Sequence, residues 1–330
     1  MRKGTVQNAT SETSDAPIIC PLCGSTETVI LERVQVAELA QLWLDLFAVN
    51  ISSMFSGVKQ LLFCHCLSSD LRFFVPPIAG SGAFYDRLNK FEWYYLKQKA
   101  EYEYAARFIN ADDVVLDIGC GRGLFALQLP DKKNYVGLEP NLDCVEDPMD
   151  CNITIIDELL EHHSISNPEK YDVVCAFQVL EHVPNVREFL RQALQCLKES
   201  GLLIISVPAA NSFMSHVTNA PLNMPPHHLT WWSDQCLFNM SRILPLDIVA
   251  EQHEVIADMH LTVFARALSK RIILGKKGEK TKLVDLSRRE RILTRAASLL
   301  AKVILRGIQD KDLRPNGHSV TFVYRKRTVK

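Results

Sequence analysis

From residue 113 onward, short apolar runs alternate with amphipathic stretches in which apolar positions recur every three or four residues. Residues 186–198 show this helical period, and Gly201 follows them as a predicted stop. Strands that are apolar throughout and are separated by helices are typical of a parallel sheet with right-handed crossovers. The pattern therefore predicts a doubly wound α/β core with strands at 114–118, 135–138, 153–156, 171–177, 202–207 and 246–249.

Further segments flank this core. Residues 29–47 are apolar and helix-like, and aromatic residues between 82 and 110 recur at helical spacings, which favours packing of one helix face against a core. Residues 255–316 are basic and amphipathic, which predicts helices inserted before a last strand at 319–324. We divide the chain into a disordered leader at 1–16, a cysteine-containing N-terminal domain at 17–75 and a helical connector or lid at 76–110. The core follows at 111–254, then a basic helical insertion at 255–316 and a final core strand at 317–330.

The composition is that of an ordinary soluble globular protein, with 330 residues, 47% of them hydrophobic and 23% charged. A net charge of −1 gives no electrostatic reason to expect DNA or RNA as a partner. The polar first 16 residues lack the apolar centre of a secretory signal, and no run approaches the roughly 20 apolar residues of a spanning helix. Ten cysteines without such a signal favour a reducing compartment, so we expect a cytoplasmic protein.

The first core strand ends in a loop with the spacing of a ligand-binding turn. Asp117 lies at the end of the strand, glycines follow at positions 119, 121 and 123, where the backbone can approach a ligand closely, and a helix is predicted after them. The second strand ends at Glu139, and an acidic residue there can accept hydrogen bonds from both hydroxyls of a ribose.

The sequence of this loop does not match the fingerprint of NAD-binding loops. The dinucleotide fingerprint needs another glycine three positions after Gly121, and Leu124 stands there. Asp117 would also repel a pyrophosphate, whereas it would attract a ligand that carries an ammonium and a sulfonium.

These motifs resemble those of the class I S-adenosylmethionine-dependent methyltransferases. Residues 114–123 are similar to the family's first motif, residues 135–140 to its ribose-binding motif, and residues 177–183, Phe-Gln-Val-Leu-Glu-His-Val, to the motif after its fourth strand. The resemblance covers residues 90–254 and the last strand, and it implies a Rossmann-like, mostly parallel sheet whose last strand is antiparallel. It also implies S-adenosylmethionine as the cofactor, held by Asp117, Gly119, Cys120, Gly121, Gly123, Glu139, Pro140, Asp157, Phe177 and Gln178.

The resemblance implies an enzyme that methylates a small-molecule or carbohydrate acceptor, first of all at a hydroxyl. The similar subgroup is associated with surface-polysaccharide biosynthesis and secondary metabolism, which suggests a sugar or a lipid-linked glycan. Ubiquinone-type O-methyltransferases share the Leu-Glu-His motif, so a quinone precursor is a second acceptor class. A third hypothesis is a protein that binds S-adenosylmethionine or its product without turnover, because a fold does not fix a function. The sequence leaves the acceptor and the oligomeric state open.

Cysteines near the N-terminus have the spacing of metal ligands. Cys20 and Cys23 enclose two residues and precede a glycine, as in a zinc knuckle, and a Cys-His-Cys run follows at 64–66. The N-terminal third resembles a bacterial methyltransferase subgroup with a zinc-binding N-terminal domain, although Ser69 stands where that subgroup usually has its last cysteine. We expect a small zinc-ribbon-like domain, with a vestigial ribbon held by packing as the alternative. The expected structural zinc ligands are Cys20, Cys23, Cys66 and one of Cys64 or His65.

The candidate catalytic residues are histidines. His182 follows the fourth strand, and residues 225–232, Pro-Pro-His-His-Leu-Thr-Trp-Trp, follow the fifth, so both should lie at the carboxyl edge of the sheet. Transfer to a hydroxyl needs a base, and histidine titrates near neutral pH. We expect His228 to be the base, His227 to be the second choice and His182 to contact the acceptor, while the tryptophans line the pocket. The alternative is that the histidines are structural and hydrogen-bonded to the backbone.

The basic insertion at 255–316 has two interpretations. A basic amphipathic helix can lie on an anionic membrane surface. A charged helix face is more often just solvated, which would make the insertion a helical cap or a dimer contact.

Overall fold

The computed structural model describes residues 17–91, 99–141, 153–275, 281–308, 310 and 314–328. The predicted leader at 1–16 and the centre of the aromatic segment, 92–98, lie outside these residues. The strands are β1 Thr28–Gln35, β2 Gln60–Cys66, β3 Arg72–Val75, β4 Val115–Ile118, β5 Tyr135–Leu138, β6 Thr154–Ile156, β7 Tyr171–Phe177, β8 Leu197–Pro208, β9 Thr230–Trp231, β10 Leu246–Val255 and β11 Asn316–Lys326. The α-helices are α1 Val36–Phe47, α2 Gly82–Leu88, α3 Ala100–Ala106, α4 Leu160–Ser166, α5 Val186–Cys196, α6 Asp234–Ile243, α7 Leu261–Leu274 and α8 Arg288–Gly307.

The larger sheet has the order β10-β11-β8-β7-β4-β5-β6. Strands β4 to β8 pair in parallel, and β11 runs antiparallel between β8 and β10. The central strands β4 and β7 are almost wholly buried, as expected for runs without polar alternation that are covered on both faces, whereas the edge strand β6 is partly exposed. The prediction of a doubly wound core with an antiparallel last strand is confirmed.

The N-terminal region is joined to this core more closely than a separate domain at 17–75 would be. Its antiparallel sheet has the order β1-β2-β3-β9, and the fourth strand comes from the segment 197–254 of the α/β core. Its side chains Cys20 and Leu22 share one apolar cluster with Trp232 and Cys236. The two regions therefore bury a common core.

Three local predictions were wrong. Residues 28–35 form β1 rather than the start of a helix, because the β-branched run pairs with β2, and the helix begins only at Val36. Gly201 does not stop α5, which ends at Cys196, but lies inside β8 where its Cβ would come within 2.9 Å of the Asp172 carbonyl. The glycine loop leads into a five-residue 3-10 turn, Leu124–Gln128, rather than an α-helix.

The basic insertion forms two helices, α7 and α8, that pack against each other. Lys270 of α7 and Glu290 of α8 form a largely buried ion pair with an N–O distance of 2.7 Å. Among the described residues, no helix is both long and apolar enough to cross a membrane.

Candidate cofactor and acceptor site

The carboxyl ends of the parallel strands meet at one edge of the large sheet. Asp117 lies near the end of β4, Glu139 directly follows β5, and Gln178 directly follows β7. Doubly wound sheets bind their ligands at this edge because loops diverge there and leave a crevice.

The glycine loop after β4 has the left-handed backbone that the sequence spacing predicts. Gly119, Gly121 and Gly123 have φ angles of +69°, +54° and +68°. A Cβ at Gly119 would also lie 2.6 Å from a methyl carbon of Val179. A residue with a side chain would be strained there, so glycine keeps the edge open between β4 and β7.

Asp117 is buried beneath this loop. Its carboxylate accepts a hydrogen bond of 2.8 Å from the Tyr135 hydroxyl. Burial raises the pKa of Asp117 to about 7, although the Tyr135 hydrogen bond and the charge of Lys99 lower it. A cation brought to this edge would stabilise the ionised carboxylate, which suits an ammonium or a sulfonium and disfavours a pyrophosphate.

Glu139 is anchored by the loop backbone. Its carboxylate oxygens accept hydrogen bonds from the amides of Gly121 and Asn141, each at 3.0 Å. Burial raises the pKa of Glu139, and these amide bonds oppose the increase. Each carboxylate oxygen keeps a further lone pair, so the group can still accept hydrogen bonds from two hydroxyls. Pro140 and Asp157 are exposed at the same edge.

Two predicted cofactor contacts have side chains that face the core instead. Phe177 packs against the rings of Tyr102 and Phe125, with centroid distances of 5.0 and 4.7 Å. Cys120 is buried against the position of Gly137. Both residues end apolar runs, so burial of their side chains dominates, and only their backbone remains at the edge. Gln178, a further predicted cofactor contact, directly follows Phe177 and has a left-handed φ of +58°.

The three candidate histidines lie together. The ring centroids of His182, His227 and His228 are 4.5 to 4.9 Å apart. The Nδ1 atom of His182 lies 2.6 Å from the His227 carbonyl, and the Nδ1 atom of His227 lies 2.8 Å from the Leu222 carbonyl. Backbone hydrogen bonds thus hold His182 and His227, whereas the structure assigns no such bond to His228 among the described residues.

Glu181 is buried against this histidine cluster, and neither of its carboxylate oxygens has a hydrogen-bond partner among the described residues. One oxygen lies 3.9 Å from Nε2 of His182 and 4.0 Å from Nε2 of His228. Burial raises the pKa of Glu181 to about 8 and lowers that of His182 to about 4. It also holds the pKa values of His227 and His228 well below their usual range. At neutral pH the cluster therefore consists of a carboxylic acid and neutral imidazoles.

Several residues of this site were missed in the sequence. The Tyr85 hydroxyl lies 3.3 Å from Nδ1 of His182. Lys99 is close enough for its charge to lower the pKa values of Asp117 and Glu181. Both come from the connector before the core, where nothing in the local pattern distinguishes a site residue from the surrounding aromatic core.

Of the two tryptophans predicted to line the acceptor pocket, Trp231 lines a cavity together with Phe63 of the N-terminal sheet, and Trp232 lies in the core. Trp232 is fully buried and donates a hydrogen bond to the Thr230 hydroxyl at 2.9 Å. Trp231 donates to the Asn223 carbonyl and packs on Phe63 of the N-terminal sheet. These rings lie at the junction between the two sheets, and Tyr85 and Phe84 pack against the histidines, with ring centroids 5.8 to 6.4 Å apart.

The N-terminal thiols also come together, with one change from the predicted set. Cys20, Cys23 and Cys66 converge, with 3.6 Å between the sulfur atoms of Cys23 and Cys66. The expectation that Cys64 or His65 completes the set is not met. Cys64 points its thiol at a backbone carbonyl 3.8 Å away, and His65 pairs with Asp70 at 2.7 Å.

Ser69 lies next to the three thiols, at the position where a fourth ligand would stand. Its hydroxyl lies 3.3 Å from the Cys20 sulfur, and its amide donates to the Cys66 sulfur at 3.4 Å. The position that the similar subgroup gives to a cysteine thus still faces the cluster.

The fold and the edge site define a doubly wound α/β protein with a nucleoside-binding loop. Residues 91–247 match the methyltransferase domain family. Together with the order of its motifs, this match identifies residues 91–247 as a methyltransferase domain of the class I, S-adenosylmethionine-dependent kind.

The curated relatives are ubiquinone biosynthesis O-methyltransferases. The protein from Serratia proteamaculans is 33% identical over 110 residues, which cover 31% of this chain and 45% of that protein. The protein from Rickettsia bellii is 31% identical over 125 residues, which cover 36% of this chain and 51% of that protein. The chain thus spans about half the length of the curated relatives it matches. A solved SAM-dependent methyltransferase from Archaeoglobus fulgidus is 19% identical, with a TM-score of 0.41 over 68% of this chain and 92% of that chain.

Proposed function

We propose that this protein transfers a methyl group from S-adenosylmethionine to a hydroxyl of a small-molecule acceptor. The observation that carries the proposal is the shared sheet edge, where the glycine loop adjoins a buried carboxylic acid that lies beside His182 and His228 of the histidine cluster. When bound, S-adenosylmethionine would supply an electrophilic methyl carbon on its sulfonium.

The residues of the loop fit this cofactor. Asp117 offers a desolvated carboxylate that a positive charge would stabilise, and Glu139 offers acceptor sites for a ribose. Asp157 is exposed beside Glu139, as expected for an adenine contact. Leu124 in place of a third glycine argues against NAD.

We propose His228 as the general base. Burial keeps its imidazole neutral, so the ring can accept the proton of an incoming hydroxyl. The proton taken from the hydroxyl would stay on His228, and the Glu181 carboxyl, 4.0 Å from its Nε2, would keep its own proton and lie beside the charged ring. His227 is the alternative base, and His182, held by a backbone carbonyl, is proposed to contact the acceptor.

The acceptor class that we favour is a phenolic quinone precursor, because the named relatives act in ubiquinone biosynthesis. Tyr85 beside His182 gives the pocket an aromatic wall for a planar ring. A sugar hydroxyl is the second acceptor class, implied by the resemblance of the N-terminal third.

Calorimetry and a methylation assay test this function. S-adenosylmethionine and its demethylated product should both bind, and Glu139→Ala should weaken binding by about 1–3 kcal/mol through the lost charged hydrogen bonds. Asp131→Ala, at an exposed carboxylate away from the loop, is the matched control and should bind normally. Specific binding of NADH instead would overturn the class of cofactor.

His228→Ala should lower turnover on an accepted catechol or sugar by on the order of 10²–10⁴, with cofactor affinity unchanged. His163→Ala is the control, because His163 pairs with Glu158 and Tyr171 on another part of the core. Near-parental turnover in both His228→Ala and His227→Ala would refute the base assignment. Cofactor binding without turnover on either acceptor class would favour a non-catalytic binding protein.

We also propose structural zinc at Cys20, Cys23 and Cys66, with Ser69 or a water molecule completing four ligands. Native protein should carry about one zinc per chain by elemental analysis. Cys23→Ser should lose that zinc, whereas Cys64→Ser, whose thiol faces away, should keep it. Native protein without zinc would contradict the proposal.

Finally, we propose that helix α8 lies on an anionic membrane surface. Its outer face exposes Ile292, Leu299 and Val303, which are 58 to 68% accessible, and the cations Arg295 and Lys302 flank them. Exposed apolar side chains bracketed by cations are typical of interfacial helices.

Co-sedimentation with vesicles tests this membrane contact. Binding should rise with the content of anionic lipid and should drop in Leu299→Glu. Arg191→Glu, on the exposed face of α5, is the control. Binding that ignores anionic lipid would contradict the proposal and leave a solvated cap.

A further inference from the structure

A second cluster of metal-ligand side chains lies at the β10–β11 side of the sheet. Glu254 comes from β10, His318 from β11, and His260 from the turn that leads into helix α7. One ligand atom from each lies within 4.8 Å of the other two. Two stretches of the chain that are far apart in sequence, 254–260 and the start of β11, thus converge on one point.

The carboxylate in this cluster is held firmly in place. One oxygen of Glu254 accepts hydrogen bonds from the backbone amides of His318 and Ser319, at 3.0 and 3.1 Å. Gly317 makes this approach feasible, since a Cβ there would lie 2.5 Å from the Glu254 side chain. The carboxylate is therefore oriented before any ligand binds.

The imidazoles have nitrogen atoms without hydrogen-bond partners. The Nδ1 atom of His260 is buried and has no partner among the described residues. The Nδ1 atom of His318 lies 2.9 Å from the Glu254 oxygen but lacks the alignment of a hydrogen bond. The two rings cross at 74°, with centroids 4.3 Å apart. A buried imidazole nitrogen without a partner is costly unless something else binds it.

We propose that Glu254, His260 and His318 bind a divalent first-row transition metal ion. Two imidazoles and one carboxylate form a donor set for such ions that leaves further coordination positions open. Because His260 immediately precedes α7, the ion would fasten the α7–α8 insertion to the edge strands. This role is separate from that of the cysteine cluster, and the site lies close enough to the proposed acceptor site for the charge of His318 to lower the pKa of His228.

Manganese is the probe that separates this site from the thiols, since Mn²⁺ favours oxygen and nitrogen ligands over thiolates. Titration of the full chain, followed by the loss of the free Mn²⁺ signal in electron paramagnetic resonance, should show one bound ion per chain. His260→Ala and Glu254→Gln should each weaken that binding by on the order of tenfold to a hundredfold. Glutamine keeps an oxygen for the two backbone amides, so the strands should remain paired.

His253→Ala is the matched control. His253 lies on the same strand but pairs with Asp234 at 3.1 Å, and its loss should leave Mn²⁺ affinity unchanged. Hydrogen exchange gives a second measurement, because Mn²⁺ should slow exchange in residues 261–274 of the parent and not of His260→Ala.

Three outcomes would overturn the proposal. One is a parent protein that binds neither Mn²⁺ nor any Zn²⁺ beyond the cysteine site. Another is Mn²⁺ binding that survives His260→Ala and Glu254→Gln. The third is binding that is lost only in His228→Ala, which would place the ion at the acceptor site.

Discussion

Glu181→Gln tests the electrostatics of the site most directly. Glu181 is buried without a hydrogen-bond partner among the described residues, and burial raises the pKa of its carboxyl from 4.5 to about 8. The folded state therefore holds a proton that the unfolded state releases above pH 4.5. The stability contributed by this proton is full below that pH and is lost as pH rises toward 8.

The size of the effect follows from these two values. Each tenfold change in proton affinity corresponds to about 1.4 kcal/mol, so release of this proton in the unfolded state lowers the stability of the fold by about 3 kcal/mol at pH 7 and by about 5 kcal/mol above pH 8. Glutamine has the same shape but does not titrate. The stability of Glu181→Gln relative to the parent should therefore rise by about 3 kcal/mol between pH 4.5 and 7.

Urea unfolding of parent and variant between pH 4.5 and 8 measures this difference. Subtraction removes the other titrating groups, such as Asp117, because both proteins contain them. Glu188→Gln on the exposed face of α5 is the control, and its difference from the parent should not follow this curve. A Glu181→Gln difference that stays constant with pH would show that the carboxyl is ionised in the fold, and the account of a neutral acid among neutral imidazoles would be wrong.

Three further substitutions test the framework around the site by chemical unfolding. Tyr135→Phe removes the hydroxyl that donates to Asp117 at 2.8 Å, so it should destabilise the fold by about 1–3 kcal/mol at pH 8, and less at pH 5 where Asp117 is protonated. Gly123→Ala should cost more than about 1 kcal/mol, because φ at Gly123 is +68°. Lys270→Met should cost about 3–5 kcal/mol by leaving Glu290 buried and uncompensated, and replacing both residues with methionine should recover part of the loss.

The sequence was most informative about the core sheet. Strands at 135–138 and 171–177 are reproduced at the predicted positions, because a run that is buried on both faces has to be apolar at every position. The loop at 119–123 could also be predicted, since the left-handed φ angles at positions 119, 121 and 123 favour glycine. In both cases a local property of the chain determines the residue type.

The errors arose where distant segments decide the structure. Residues 28–35 form a strand because β2 pairs with them, a partner that lies 25 or more residues away in sequence. Trp232 is placed in the core by the packing of two sheets, although its neighbours His227 and His228 reach the site. The orientation of Cys64 is likewise set by its position in β2 rather than by cysteine spacing.

The position of the histidine run shows how the N-terminal region takes part in the site. On one side, the amide of Phe74 donates to the Leu229 carbonyl at 2.9 Å, and the amide of Gly80 donates to the Pro226 carbonyl at 2.8 Å. On the other side, the amide of Leu229 donates to the Glu181 carbonyl at 2.7 Å. Backbone hydrogen bonds therefore hold the run that carries His228 between the β3 side and the segment that follows β7. Because the N-terminal sheet holds one of these two attachments, its loss would free that side of the histidine run, while the hydrogen bond to Glu181 and the glycine loop would stay in place.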